Sequence, residues 1–584
     1  MILLVVGLVL GIQPTLAIEI RQDFKWPGPS SSVLGEFANA AIATDHTRCA
    51  GIGKDTMQRG GNAADAAVAA QICLGVVNPQ SSGLGGGFIM TLYNKTKGRC
   101  ISIDARETAP AASYQDVYVG NPNSSLFGFN AVATPGELAG LWHVYQTYGS
   151  GKVTWKSLLE PSIRICEEGV VVTEYMATVS MKLEHQIRAA PSMKTWINPK
   201  TGNLYQTGEV LFRPKLAATL KTLAQAVNPV QEFYHGTMAK TISKEFAENG
   251  GMLTLRDLKD YKVRVYESPI VNDHFRGDLV ICGPPPPSSF AVTQLLISVM
   301  SQLYPHTQKF SAELLHSDPV YYHNLMEAMK FTYAQRTLFG DNDFVTDSWD
   351  KALNLTQESF TRWVVENIRD HAQPTSSYGG INQTLPVDAG TSQVSIVDAG
   401  GNGVSVTTTI NQWFGACVES VKYGILWNDE MDDFSTPGMS NGFGYAPSYT
   451  NFIQPGKRPM SSMSPLIIYN RTTKDIRMVV GASGGSKIIS SVAHAVIRPL
   501  VFGETIKEAS DAPRLHNQFT PDETQVGGDF PKELKEILAN KYGQKFVDTF
   551  GFEGVAQVID IPAPGKIHAI GDWRRKTPQE PAGF

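Results

Sequence analysis

Cysteine is scarce, with six in 584 residues, and no two of them stand in a C-x-x-C pair. Structural zinc and dithiol redox chemistry both favour that spacing, so neither is expected here. A basic excess is missing too. Fifty lysines and arginines face 55 aspartates and glutamates, for a net charge of −5, whereas nucleic-acid binders normally carry a basic field. No long run of like charge marks a polyanionic or polybasic partner, and no internal repeat or heptad series is visible. What remains, 42% hydrophobic and 18% charged, is the composition of a globular protein with a sizeable core. Length alone suggests three or four domains, or fewer large ones.

One long apolar run opens the chain. MILLVVGLVLGIQPTLA is unbroken from Ile2 to Ile12, about 17 Å as a helix against a ~30 Å hydrocarbon core. Thr15-Leu16-Ala17 supplies a small-residue cleavage pattern. Residues 1–17 are therefore expected to be a secretory signal peptide, although the usual basic start is missing. No second segment reaches spanning length, and the mature protein is expected to be soluble and extracellular. Sequons at Asn94, Asn123, Asn354, Asn382 and Asn470 agree with secretion and mark glycosylation candidates. Cys49, Cys73, Cys100, Cys166, Cys282 and Cys417 allow fifteen complete pairings, and a large core requires none of them.

From Thr44 the chain reads as two helical stretches split by Gly60-Gly61, the second with Asn62 as its cap and an Ala-rich body suited to close packing. SGLGGGFIMTLYN (82–94) is a glycine turn feeding a strand, and ISIDARETAP (101–110) is a strand ending in polar residues. Residues 136–260 are mostly helical in pattern, and HNLMEAMKFTYAQRTLFGD (323–341) is another amphipathic helix. The prolines of CGPPPPSSF predict a rigid loop before a helix at 290–303. Residues 371–390, poor in apolar side chains, form the strongest candidate linker. After them the period changes to two. Val394, Ile396, Val404 and Val406 alternate with Ser395, Ser405 and Thr407 around a turn at Asp398–Gly403, a β-hairpin beginning almost at Thr391.

A Gly390-Thr391 step at the edge of that hairpin has a chemical reading. A threonine hydroxyl is a poor nucleophile until a base takes its proton, and the residue's own α-amine, with a pKa of roughly 7.7–8.0, can do so. That amine exists only if the bond to Gly390 is cut. Glycine allows backbone geometries in which Oγ reaches its own preceding carbonyl, and a loose segment upstream lets the severed end move away. The same dipeptide is also the ordinary mark of a turn. A serine hydrolase competes with this reading. Gly481-Ala-Ser483-Gly-Gly485 satisfies G-x-S-x-G, and Asp548 and His568 follow in triad order. Against it, no HGGG-type loop precedes, and the hairpin does not supply a parallel βαβ series. GASGGSK lacks the spacing of a phosphate-binding loop.

Thr391 with SVTTTINQWFGA (405–416), GILWNDEMDDFS (424–435), PGKRPMSSMSPLI (455–467) and MVVGASGGSKI (478–488) resembles the γ-glutamyltransferase (γ-glutamyltranspeptidase) family. GGNAADAAVAA, SSGLGGGF and DARETAP match the same family in the same order, so the resemblance covers essentially the whole chain after residue 17. It implies an α/β (α+β) protein with the N-terminal-nucleophile hydrolase fold, four layers αββα. It also implies a precursor that cuts itself between Gly390 and Thr391 into intertwined large (18–390) and small (391–584) subunits.

A γ-glutamyl substrate ends in one ammonium and one carboxylate, so its pocket needs both charge signs. By resemblance Arg106 binds the carboxylate bidentately, helped by Ser461 and Ser462, while Glu430, Asp433 and Asn411 hold the ammonium. Thr409 orients the nucleophile's hydroxyl and touches substrate, with Thr407 on its face of the strand and Thr408 on the other. N–H groups at Gly484 and Gly485 meet the oxyanion before a helix N-terminus, Gly485 also touching substrate. Cys49 and Cys73 match a family disulfide, whereas the family's second close-spaced pair is absent. Gln393 stands where the family usually has histidine, which keeps open a secreted member that binds without catalysing. The expected partners are glutathione or other γ-glutamyl donors and amino acid or dipeptide acceptors. No metal or organic cofactor is implied.

Overall fold

Two seven-stranded antiparallel sheets lie face to face, each with its helices on the outer side. The computed structural model describes residues 24–308, 310–380, 383–384, 390–438, 446–549 and 554–584. The expected signal peptide at 1–17 and the sequon at Asn382 lie outside the described residues.

One sheet runs in the order Leu34–Phe37, Lys566–Gly571, Val555–Ala563, Ile476–Ser483, Leu466–Asn470, Leu279–Gly283, Ile270–Asn272. The other runs Ala582–Gly583, Ala41–Thr44, Gly390–Val397, Gly403–Asn411, Gly87–Asn94, Arg99–Ala105, Arg264–Tyr266. Each sheet therefore takes strands from both sides of residue 390.

The pleat explains why the central hairpin is rich in hydroxyls. Val394, Ile396, Val404 and Val406 point into the core shared with the helix Ala63–Val77. Ser395, Ser405 and Thr407 point the other way, at the opposing sheet. There Ser405 Oγ donates to the Val480 carbonyl at 2.9 Å and Ser395 Oγ to Gln557 at 2.9 Å. A thin apolar layer of Ala41, Ala43, Val397, Ile467, Val479 and Ile559 completes the contact between sheets. Helices Phe290–Leu303, Pro319–Arg336 and Lys487–Phe502 cover the outer face of the first sheet. The layers are αββα, the architecture of the N-terminal-nucleophile hydrolases.

Local signals place several elements well. Asn62 and Asp65 form a reciprocal capping box on the helix Ala63–Val77, all of whose residues are buried, and Cys49–Cys73 ties it to the helix Thr47–Gln58. A second disulfide, Cys100–Cys282, joins a strand of one sheet to a strand of the other. Cys166 and Cys417 are free and buried.

Two expectations change. The helix expected at 323–341 spans Pro319–Arg336, because Asp318 caps it and Pro319 suits its first position. The supposed linker is anchored at its start. The Ala372 N–H donates to the Tyr542 carbonyl at 2.8 Å, and buried Tyr378 donates to Glu327 at 2.9 Å. Asn123 and Asn354 are exposed, while Asn94 and Asn470 accept turn N–H bonds through their side chains. No helix among the described residues is long and apolar enough to cross a membrane.

Candidate active site

The hairpin brings Thr391 opposite Thr409 at the edge where its pairing slips, since Gly390 pairs with Asn411 and Ile410 is left over. Both threonines are 1% exposed. Their hydroxyl oxygens are 3.3 Å apart. Thr409 Oγ1 donates to the Gly390 carbonyl at 2.6 Å and accepts the Asn411 N–H at 2.9 Å. With that proton committed to Gly390, the Thr391 hydroxyl is the donor of the shared pair. Glycine is required at 390 for a different reason from the one expected. A Cβ there would overlap the Gln412 carbonyl, so close backbone approach, rather than conformational freedom, selects it.

Beneath the threonine lies a charged network from three distant stretches of chain. Arg575 Nη1 donates to the Thr391 carbonyl at 2.9 Å and pairs with Asp45 at 3.1 Å, while Nη2 bonds Ser483 Oγ. Asp45 also accepts from Gln557 Nε2 at 2.7 Å and from the Gln393 N–H at 3.2 Å. Burial pushes the Asp45 carboxyl up, and Arg575 opposes it.

Ser483 is thus fully buried between Arg575 and Asp45, and the serine-hydrolase reading fails. Asp548 lies in a separate sheet, paired with Lys535 at 2.6 Å, and His568 sits across from Asp560. Neither reaches Ser483.

Gln393 is buried between the sheets. Its carboxamide accepts from Thr407 Oγ1 at 2.7 Å and donates to Ser405 Oγ at 3.0 Å. The expected parity holds, for Thr408 faces away and donates to Glu137 at 3.0 Å.

Arg106 leaves the end of the strand Arg99–Ala105 and is completely buried. Its guanidinium bonds both Glu430 and Asp433, which a short 3₁₀ turn presents together. It also donates to the Pro459 and Met460 carbonyls at 3.3 Å, which brings the following Ser461 and Ser462 beside it. Arg336 Nη2 holds Ser462 Oγ at 3.0 Å. Burial works against the Arg106 charge, yet Glu430, Asp433 and Glu107 hold its pKa above the ordinary range. Burial raises the Glu430 and Asp433 carboxyls, with Arg106 opposing, and brings Glu107 to about 7. Asn411, in a left-handed conformation at φ 70°, donates to the Asp429 carbonyl at 3.0 Å. Asn411 Oδ1 and Glu430 Oε2 are buried acceptors with no donor. Such atoms suit a donor-rich cation such as an ammonium. Among the described residues no group of three or more His, Cys, Asp or Glu side chains is arranged to hold a metal ion.

Gly484 and Gly485, at φ 115° and 62°, turn the chain from the strand Ile476–Ser483 into the helix Lys487–Phe502. Both conformations are ones that side chains rarely adopt. They follow Ser483 directly and so lie next to the Arg575 that holds Thr391.

Sequence reasoning missed Asp45, Arg575, Glu107 and Arg336. Arg575 and Glu107 were within reach of inspection, one in the run WRRK and the other beside Arg106. Nothing local distinguishes Asp45 or Arg336 from ordinary surface charges.

A family model described as gamma-glutamyltranspeptidase matches residues 49–582. Over 550 residues the chain is 36% identical to Scoloptoxin SSD14 of Scolopendra dehaani, covering 94% of this chain and 93% of that protein. The glutathione hydrolase proenzyme of Escherichia coli is 34% identical over 534 residues, 90% of this chain and 88% of that one. Among solved structures, a cephalosporin acylase from Bacillus halodurans superposes with a TM-score of 0.79 at 22% identity, covering 96% of this chain and 98% of that chain. That last likeness is one of fold.

Proposed function

This chain belongs to the γ-glutamyltranspeptidase family, and on that footing we propose that it is a self-cutting γ-glutamyltransferase and glutathione hydrolase with Thr391 as nucleophile. The observation that carries the reading is the pair of threonine hydroxyls set against the Gly390 carbonyl, beside a buried cluster that holds both charge signs.

Self-cutting begins when Thr391 Oγ attacks the Gly390 carbonyl carbon. Thr409 holds that carbonyl oxygen as charge develops on it, a role of the kind that preorganised donors fill. The Oγ proton passes to the departing nitrogen as the peptide C–N bond breaks, so an ester to Oγ forms and the Thr391 α-amine is freed. Water hydrolyses the ester, which gives Gly390 its carboxylate, returns the Thr391 hydroxyl and leaves fragments 18–390 and 391–584. A relative whose name calls it a proenzyme agrees with this.

In turnover the donor's carboxylate takes Arg106 with Ser461 and Ser462, and its ammonium takes Glu430, Asp433 and Asn411. Thr391 Oγ attacks the γ-carbonyl, N–H groups at Gly484 and Gly485 meet the oxyanion, and the α-amine carries the proton to the departing amine. For glutathione the departing group is cysteinylglycine. The γ-glutamyl ester then passes to water or to an amino acid or dipeptide amine. The apolar start, the sequons and the two disulfides support a secreted, glycosylated protein.

The test is a gel with N-terminal sequencing, paired with γ-glutamyl-p-nitroanilide turnover with and without glycylglycine. Wild-type protein should give two bands, the smaller beginning at Thr391, and release p-nitroaniline faster with acceptor. Thr391→Ala should stay one chain and release none. Turnover by the uncut alanine variant would remove the reading.

A further inference from the structure

A cleft of about 310 Å³ that the chemistry at Thr391 does not use is lined by Lys194 and Thr195 of the 3₁₀ turn Pro191–Trp196, by the first turn of the helix Pro214–Gln225, and by Glu419 and Gly424. Its size falls within the roughly 300–1,000 Å³ of small-molecule sites. Ile197, Tyr205, Leu216 and Phe212 supply apolar wall, and the Phe212 ring is 53% exposed.

The helix that opens on this cleft starts without a side-chain cap; its N-cap is Arg213 and its first residue is proline. The Ala217 N–H reaches the Arg213 carbonyl at 3.0 Å, but the Lys215 and Leu216 N–H groups have no acceptor among the described residues. Such a helix end offers an anion both donors and partial positive charge. Arg213 points to a ligand independently. It is 3% exposed, yet its Nε is buried with no acceptor among the described residues. Nη1 donates to the Gly75 carbonyl at 2.8 Å and Nη2 to the Gly424 carbonyl at 3.2 Å. The Nε–H shares an edge of the planar guanidinium with Nη2, so it faces the Gly424 side, where the cleft lies.

The charges are uneven as well. Three cations line the cleft, Lys194, Arg213 and Lys215, against the single carboxylate of Glu419. Glu419 is buried 3.9 Å from Arg213 Nη2 and offsets that charge. Lys215 lowers the pKa of Glu419 and of Glu245 from a distance. Neither lysine has a carboxylate within ion-pair distance among the described residues, and both are exposed.

The geometry points to a binding site for a small organic anion with an apolar body. The acid head sits at the helix end, among Lys194, Lys215 and the Arg213 Nε–H, and an aromatic or branched body lies against Phe212, Tyr205 and Ile197. The head alone would be held weakly, because exposed lysines contribute little each; the apolar wall makes the site selective for acids that carry such a body.

The experiment titrates 4-phenylbutyrate into the purified protein and follows binding by ligand-observed NMR. Butyrate, which lacks the ring, and 4-phenylbutylamine, which reverses the charge, are the comparisons. The wild type should bind 4-phenylbutyrate saturably and more tightly than either. Replacing Lys194 and Lys215 by methionine should weaken it by about two- to five-fold for each lysine, and arginine at both positions should keep the affinity. Phe212→Ser should weaken 4-phenylbutyrate and leave butyrate where it was. All three positions are exposed, and circular dichroism confirms that each variant folds. No saturable binding by the wild type, or an amine that binds as well as the acid, overturns the proposal. So does an affinity unmoved by the methionine pair or by Phe212→Ser, since the anion would then sit elsewhere. Turnover at Thr391 is a separate measurement, and neither result decides the other.

Discussion

The Thr409 hydroxyl alone touches the Gly390 carbonyl, the Thr391 hydroxyl and the Asn411 N–H. Valine keeps its shape and removes all three bonds. Thr409→Val should slow both self-cutting and turnover, by a factor of roughly 100–1,000 if the lost donor acts on the oxyanion. A gel time course and p-nitroaniline release check this, and normal maturation would take Thr409 out of the mechanism. At the neighbouring acids the sign of a pH effect can be worked out. Burial raises Glu430 and Asp433, with Arg106 opposing, so the pair keeps a proton to higher pH than free carboxylates do, and an arriving ammonium must expel it. Proton release on binding makes affinity rise with pH. Donor KM should therefore fall as pH rises over the interval in which the pair is still protonated, by up to about tenfold per unit for one displaced proton. A KM that climbs over that interval would contradict the assignment. The residues legible in sequence were those lying in long motifs, such as NDEMDDFS and MSSMSP. Asp45 and Arg575 meet across 530 positions of chain, and only the folded sheets bring them together.

The elements were read well where a local cause decides them. The helix cap at Asn62 and the two-residue period after Thr391 need no distant partner, and both stand where expected. The anchoring of the expected linker's start was not legible, because it comes from Tyr378 reaching Glu327, 51 positions away. The hairpin also carries a constraint on its neighbour. A Cβ at Gly481 would overlap the Gln393 carboxamide, which is fixed by Thr407 and Ser405. Gly481→Ala should destabilise the protein by about 1–3 kcal/mol through overpacking. Adding Gln393→Ala should relieve part of that, giving less than the sum of the two single changes in denaturant unfolding. Strict additivity would mean that the two do not meet.

At the level of the whole molecule the layered architecture was legible through its motifs, whereas the Cys100–Cys282 bridge was not. Its two halves are brought together by the stacking of the sheets, 182 residues apart in sequence. In a chain-entropy account a loop of that length contributes up to about 5 kcal/mol, against about 3 for the 24-residue span of Cys49–Cys73. Replacing Cys100 and Cys282 by serine should lower the thermal midpoint more than replacing Cys49 and Cys73. Equal shifts would show that strain or residual structure offsets the longer loop. Both sheets are woven from strands on either side of residue 390, and the proposed cut there carries a consequence for the life of the protein. Its two pieces cannot trade places with those of another copy without unravelling. Batches from two sources, once mixed, remain two populations, and damage to one half disables its own partner and no other.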